Sequence, residues 1–86
     1  MDVIQINERD LVAVAPTGLR KGQSVKAAGR EILVLDDIPA CHKIAVKEIA
    51  AGTGVVKYGC RFGVATEDIR QGQWVHTHNV RSELGG

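Results

Sequence analysis

Aromatic residues are nearly absent from this chain: among its 86 residues there is one Trp, one Tyr and one Phe. That is too few for the stacking platform that single-stranded nucleic acid needs. An excess of either charge is also missing. Eleven Lys and Arg stand against ten Asp and Glu, interspersed, for a net charge of +1. The clustered cations that neutralise phosphates are therefore not there, and nucleic acid is excluded as an expected partner. No apolar run approaches the roughly 18 residues that span a bilayer. Met1 to Asp10 lacks the basic and then apolar regions of a signal peptide. Two cysteines, Cys41 and Cys60, do not amount to a disulfide framework. No membrane association and a cytoplasmic location with reduced thiols are the expectations.

The chain is also short. A domain of this size buries roughly 60% of the surface its unfolded chain exposes, so its core is modest. It has no room for a scaffold, a deep pocket and a complete catalytic constellation together. If it takes part in catalysis, another chain is expected to supply much of the chemistry.

What is present is a series of short β signals. Val3, Ile4 and Ile6 read as an edge strand or ordered arm, and Leu11 to Ala15 as a clearer strand stopped by Pro16-Thr17-Gly18. Val25-Lys26 and Ile32-Leu33-Val34-Leu35 flank a hairpin turn at Ala27 to Arg30. The unbroken aliphatic run predicts a strand buried on both faces. Pro39 takes the chain out of the sheet, and Ile44-Ala45-Val46 follows as another strand. Val55 to Tyr58 and Phe62 to Ala65 flank a second hairpin at Gly59-Cys60-Arg61, and Trp74 to Val80 reads as the last strand. Residues 1–80 are expected to form one domain and 81–86 a flexible, solvated tail.

Beneath this runs a repeat. Leu19-x-x-Gly22-x-x-Val25, Ile49-x-x-Gly52-x-x-Val55 and Ile69-x-x-Gly72-x-x-Val75 share one spacing, and in the last two copies Ala45 and Ala65, like Glu48 and Asp68, precede at equal distances. Its physical reading is a single helical turn that packs its aliphatic residue inward, ended by a left-handed glycine, before a strand with a core valine. Ten glycines and these spacings favour an irregular mostly β domain with short helical turns over a helical one.

The residues that carry chemistry cluster late. On an extended strand Trp74, His76 and His78 share one side, with Val75, Thr77 and Asn79 on the other. Alternate imidazoles, about 7 Å apart at the backbone, suit a metal ion or an anionic ligand. They read equally as polar residues on an exposed face. A third ligand would have to be His42, the only other histidine. His42 and Lys43 follow Pro39 in a loop, where an ammonium suits a carboxylate and an imidazole can move protons. Lys57 and Tyr58 offer a cation and a phenol, or simply end a hairpin. Trp74 reads as a stacking surface for a sugar or as a cover for the core. Cys41 and Cys60 read as ordinary small thiols.

Asp37-Ile38-Pro39-Ala40-Cys41-His42-Lys43-Ile44-Ala45 resembles the D-I-P-x-G-H-K-h-A stretch of the SAF domain at the N-terminus of the altronate dehydratase family, h being aliphatic. Val56-Lys57-Tyr58-Gly59, Gly63-Val64-Ala65, Asp68-Ile69 with Gly72, and Trp74 to Asn79 continue the resemblance in the family's order, from about Val12 to Asn79. It implies a β-clip fold, in which short strands and turns cross over repeatedly. It also implies the small subunit of an acid-sugar dehydratase of the altronate or galactarate type, a hydro-lyase inactive without a separate large catalytic subunit. A divalent metal, Fe2+ in most of the family, would be held mainly by that partner. His76 and His78 would be the catalytic residues and candidate metal ligands. His42, Lys43, Asn79, Lys57 and Tyr58 would bind the acidic sugar substrate. The alternatives are the small subunit of a sulfolactate sulfo-lyase, which eliminates sulfite, a non-enzymatic sugar-acid-binding module, and a purely structural subunit. Homo-oligomerisation is left open. One departure stands out: Cys41 occupies the family's Gly position, so the loop either needs no positive φ there or has altered contacts.

Overall fold

The computed structural model of the chain describes residues 10–27, 29–57 and 60–82. Within them are eight short strands and no helix: β1 (Val12–Val14), β2 (Ser24–Ala27), β3 (Arg30–Leu33), β4 (Lys43–Ala45), β5 (Gly54–Lys57), β6 (Cys60–Ala65), β7 (Trp74–Val75) and β8 (Val80–Ser82). They pair into three antiparallel sheets, ordered β1-β4-β7, β2-β3 and β5-β6-β8. The chain leaves and re-enters the β1-β4-β7 sheet through two hairpins, which is the expected β-clip arrangement. None of the described residues forms a helix long and apolar enough to cross a membrane.

The repeat proves to be a set of β-turns rather than helical turns. In each, the fourth residue's N–H donates to the first residue's carbonyl: Gln23 to Arg20 at 3.0 Å, Thr53 to Ala50 at 3.1 Å and Gln73 to Arg70 at 3.0 Å. The third residue has positive φ, 91° at Gly22, 85° at Gly52 and 95° at Gly72, as a type II turn requires. A fourth copy is concealed at Pro39 to His42, where the same bond is 3.1 Å long. Its positive-φ position is held by Cys41, at 67°. The loop does need the left-handed conformation, and it takes it without glycine.

These turns expose an internal duplication. Leu19 and Ile38 exchange two backbone hydrogen bonds of 2.8 Å, and Ile49 and Ile69 do the same at 2.8 and 2.7 Å. Asp37 Oδ1 accepts from Lys21 N–H at 3.0 Å, and Asp68 Oδ1 accepts from Ala51 N–H at 2.9 Å. Cys41 N–H donates to Ala15, and Gly72 N–H to Ala45, at 2.7 and 2.8 Å. The second half thus repeats the first turn by turn, and β4 and β7 are its equivalent strands, paired with each other.

Side chains alternate across a strand, so the β1-β4-β7 sheet presents two apolar faces. Ala13, Ile44 and Val46 face one core with Val25, Ile32 and Val34, while Val12, Ala45 and Val75 face a second with Val55, Ile69 and Val80. Each fully buried Ile or Val stabilises the fold by about 1.5–3 kcal/mol, and both cores combine such residues with small alanines.

Several sequence expectations are corrected. Ile32 to Leu35 is not buried on both faces: Ile32 and Val34 are buried but Leu33 is 57% exposed, because β3 pairs only with β2 and covers the core with one side. Cys60 and Arg61 belong to β6 rather than to the turn. Trp74 to Val80 is not one strand, since β7 stops at Val75 and a turn precedes β8. Arg81 and Ser82 are not tail residues, because they pair with Val64 and Gly63 of β6. The strand expected at Val3 to Ile6 and the remaining tail, 83–86, lie outside the described residues.

Candidate functional site

The Pro39 to His42 turn delivers His42 and Lys43 to the start of β4, and the β4-β7 register decides where each points. Lys43 lies opposite Val75 and Ile44 opposite Trp74. Directly opposed residues share a face, so the His-Lys pair is split across the sheet. Lys43 faces the side of Val75, while His42 comes to lie against Trp74.

Trp74 is the centre of a ring cluster. Its backbone N–H donates to Asp36 Oδ2 at 3.0 Å, which ties it to the segment before the turn. Its indole Nε1–H donates to His42 Nδ1 at 3.1 Å. The His76 ring stacks on the indole, 7° from parallel with centroids 5.4 Å apart, and His78 tilts against it at 5.0 Å. His42 and His76 rings are 4.7 Å apart. All three histidines thus meet around one tryptophan.

The sequence reading grouped Trp74, His76 and His78 through strand alternation. The structure groups them through a turn. Asn79 Oδ1 accepts from His76 N–H at 3.0 Å, and Asn79 Nδ2 donates to Trp74 O at 2.8 Å. The backbone N–H groups of Asn79 and Val80 both donate to His76 O, at 3.2 and 3.0 Å. Asn79 is 1% exposed. Both ends of the amide of this candidate substrate-binding residue are engaged inside the turn that presents His76 and His78.

On the Lys43 side, a cavity of about 190 Å³ is lined by Lys43, Val75, His76, Thr77, Val80 and Ser82. His76 belongs to both features, stacked on Trp74 and forming part of the cavity wall. Thr77 and Ser82, which no sequence signal singled out, add hydroxyls to the same wall. The side chain of Lys57 and the whole of Tyr58 lie outside the described residues. Among the described residues, no group of three or more His, Cys, Asp or Glu side chains converges in a way that could hold a metal ion. The cluster can accept and donate hydrogen bonds, relay protons and offer one cation, which is a chemistry suited to a small carboxylic acid.

The altronate/galactarate dehydratase SAF domain matches the chain over residues 1–83. The chain belongs to that family. It is 40% identical to altronate dehydratase of Bacillus subtilis over 81 residues and 39% identical to altronate dehydratase of Escherichia coli over 84. These matches cover 94% and 98% of this chain but 16% and 17% of those proteins, so the SAF domain spans about one sixth of the relatives' length. It is also 42% identical over 50 residues to (2R)-sulfolactate sulfo-lyase subunit alpha of Chromohalobacter salexigens, covering 58% of this chain and 53% of that subunit. The family's relatives are thus named dehydratases and lyases, and of the motif residues of this SAF domain His42, His76 and His78 gather around Trp74 while Lys43 lies on the cavity side.

Proposed function

We propose that this SAF domain acts as the small subunit of an acid-sugar dehydratase of the altronate or galactarate type and completes an active site carried mainly by a separate large catalytic chain. The observation that carries this reading is the meeting of His42, His76 and His78 around Trp74, beside a cavity that contains Lys43. Dehydration next to a carboxylate needs the carboxylate held, a proton removed from the adjacent carbon, and a proton delivered to the departing hydroxyl. Lys43 holds the carboxylate as a charge-assisted hydrogen-bond donor. His76, on the wall between the cavity and the ring stack, hydrogen-bonds the substrate or moves its proton, with His78 and His42 behind it. The cavity is small and open, so the large chain supplies the rest of the enclosure.

The divalent metal implied by the family, Fe2+ or a similar ion, does not fit the donors of the described residues, since no group of three or more of them is arranged to hold an ion. It would belong to the large chain.

A second reading is favoured by the match to a sulfo-lyase alpha subunit, which is itself a named subunit of an enzyme rather than a segment of a dehydratase. The elimination is similar, with sulfite as the leaving group, and the same residues would hold the acid. One experiment addresses both readings. The chain is combined with its large partner and turnover is measured on altronate, galactarate and sulfolactate. The expected result is lyase activity that requires both chains and falls when His76 and His78 are both changed to Ala. Partner-dependent activity untouched by that double variant would leave a structural subunit. Ligand binding without any turnover would leave a sugar-acid-binding module.

A further inference from the structure

We infer that Trp74 is a positioning residue that fixes the tautomer of His42 and so makes His42 a hydrogen-bond donor toward the substrate; the part concerning substrate rests on the lyase reading above. An indole N–H can only donate. At 3.1 Å from Trp74 Nε1, His42 Nδ1 must accept, and an accepting nitrogen carries no proton. The proton of the neutral ring is then on Nε2, on the other side of the imidazole. His42 is thereby committed to donating from Nε2, to a carboxylate or hydroxyl oxygen of an acidic ligand.

The arrangement is held from both ends. The Trp74 backbone is tied to Asp36 Oδ2 at 3.0 Å and to Asn79 Nδ2 through its carbonyl at 2.8 Å. The backbone of His42 is tied to Pro39 by the turn and to Ala15 by the sheet, at 3.1 and 2.9 Å. The His76 ring packs against both, at 5.4 Å from the indole and 4.7 Å from the imidazole, and restricts their rotation. A tryptophan that only covers a core can satisfy its N–H with any nearby acceptor or with solvent. Here the half-buried indole packs on the first core with its ring while its nitrogen engages a residue distant in sequence.

The test is nitrogen NMR on the 86-residue chain labelled at histidine, with the ring neutral. The expected spectrum has His42 Nδ1 unprotonated and Nε2 protonated, and a Trp74 indole proton protected from exchange. In Trp74→Phe, which keeps a ring but has no N–H, both His42 nitrogens should move toward the intermediate shifts of a tautomer mixture. The backbone amide pattern of that variant reports whether it is folded, and the wild-type spectrum decides the tautomer even if it is not. A protonated Nδ1 in the wild type, or an unchanged His42 in folded Trp74→Phe, overturns the inference. In the assembled lyase, Trp74→Phe should lower kcat about tenfold and add nothing to a His42→Ala loss. If the tautomer is as stated but turnover ignores both substitutions, the positioning by Trp74 stands and the lyase reading of His42 falls.

Discussion

Cys41 and Gly72 hold the same position in two equivalent turns, with φ of 67° and 95°. Their surroundings differ in a way that decides which of them can carry a side chain. A Cβ at Gly72 would collide with the carbonyl oxygen of Leu33 and lie 3.3 Å from Leu35 Cγ, because Leu35 N–H donates to Gly72 O and draws the two segments together. Cys41 is exposed, and its thiol lies 3.9 Å from Pro16 O.

Replacing Cys41 with Gly should therefore stabilise the chain. A left-handed residue with a side chain costs about 1–2 kcal/mol, partly offset by glycine's greater freedom when unfolded, leaving a gain of about 0.5–1 kcal/mol. Thermal unfolding would show it as a rise of roughly 2–8 °C in Tm. A fall in Tm would mean that the thiol makes a contact worth more than the strain.

Gly72→Ala should do the opposite, and more strongly. Left-handed strain adds to a backbone collision, for a loss of about 3 kcal/mol or more in denaturant unfolding. Gly22→Ala is the control. It has positive φ but nothing within 4 Å of the added Cβ, so only the strain of about 1–2 kcal/mol is expected.

Asn79 should be sensitive to a change of a single atom. Asn79→Asp keeps the acceptor for His76 N–H but loses the donor to Trp74 O and sets a carboxylate against that carbonyl. With the group buried, the expected cost is about 2–3 kcal/mol. In the proposed complex with a large catalytic chain the same variant should reduce activity through the misplaced turn that carries His76 and His78, with Trp74 fluorescence changed as well. Unchanged fluorescence and activity would refute a positioning role for this amide.

Lys43 can be tested by charge. Lys43→Met keeps much of the stem but removes the ammonium. Loss of a charged hydrogen bond of about 1.5–3 kcal/mol predicts a KM for the acid raised roughly 10- to 100-fold with kcat little changed. Lys43→Arg should recover part of this. If Lys43→Met lowers kcat while leaving KM alone, the residue is not a carboxylate anchor.

The β class, the hairpins and the turn repeat are carried by local signals: Gly at fixed offsets, valine three positions later and short apolar runs. The fourth turn escaped the pattern because Cys41 breaks the Gly spacing, although Ile38 and Ile44 keep its flanks. The run Trp74 to Val80 looked like a strand because His-x-His alternates. The deciding agent was Asn79, whose amide bonds to His76 N–H and Trp74 O and stops the strand at Val75. Such a side-chain turn leaves little mark on hydrophobic periodicity.

By itself, the sequence determined that this is a small, nearly neutral β domain of the altronate/galactarate dehydratase SAF type, with His42, Lys43, His76 and His78 as its chemistry-bearing residues. The size, charge and β class depend on composition and on spacing along the chain, and the family on the resemblance of its motifs. Only the tertiary structure decided that β4 lies beside β7. That pairing sends Lys43 to the cavity and His42 to Trp74, and it lets one indole N–H select the protonated nitrogen of a histidine 32 residues away. The reason is geometric: a hydrogen bond selects a partner within about 3 Å, and no local pattern encodes which distant strand will bring that partner there.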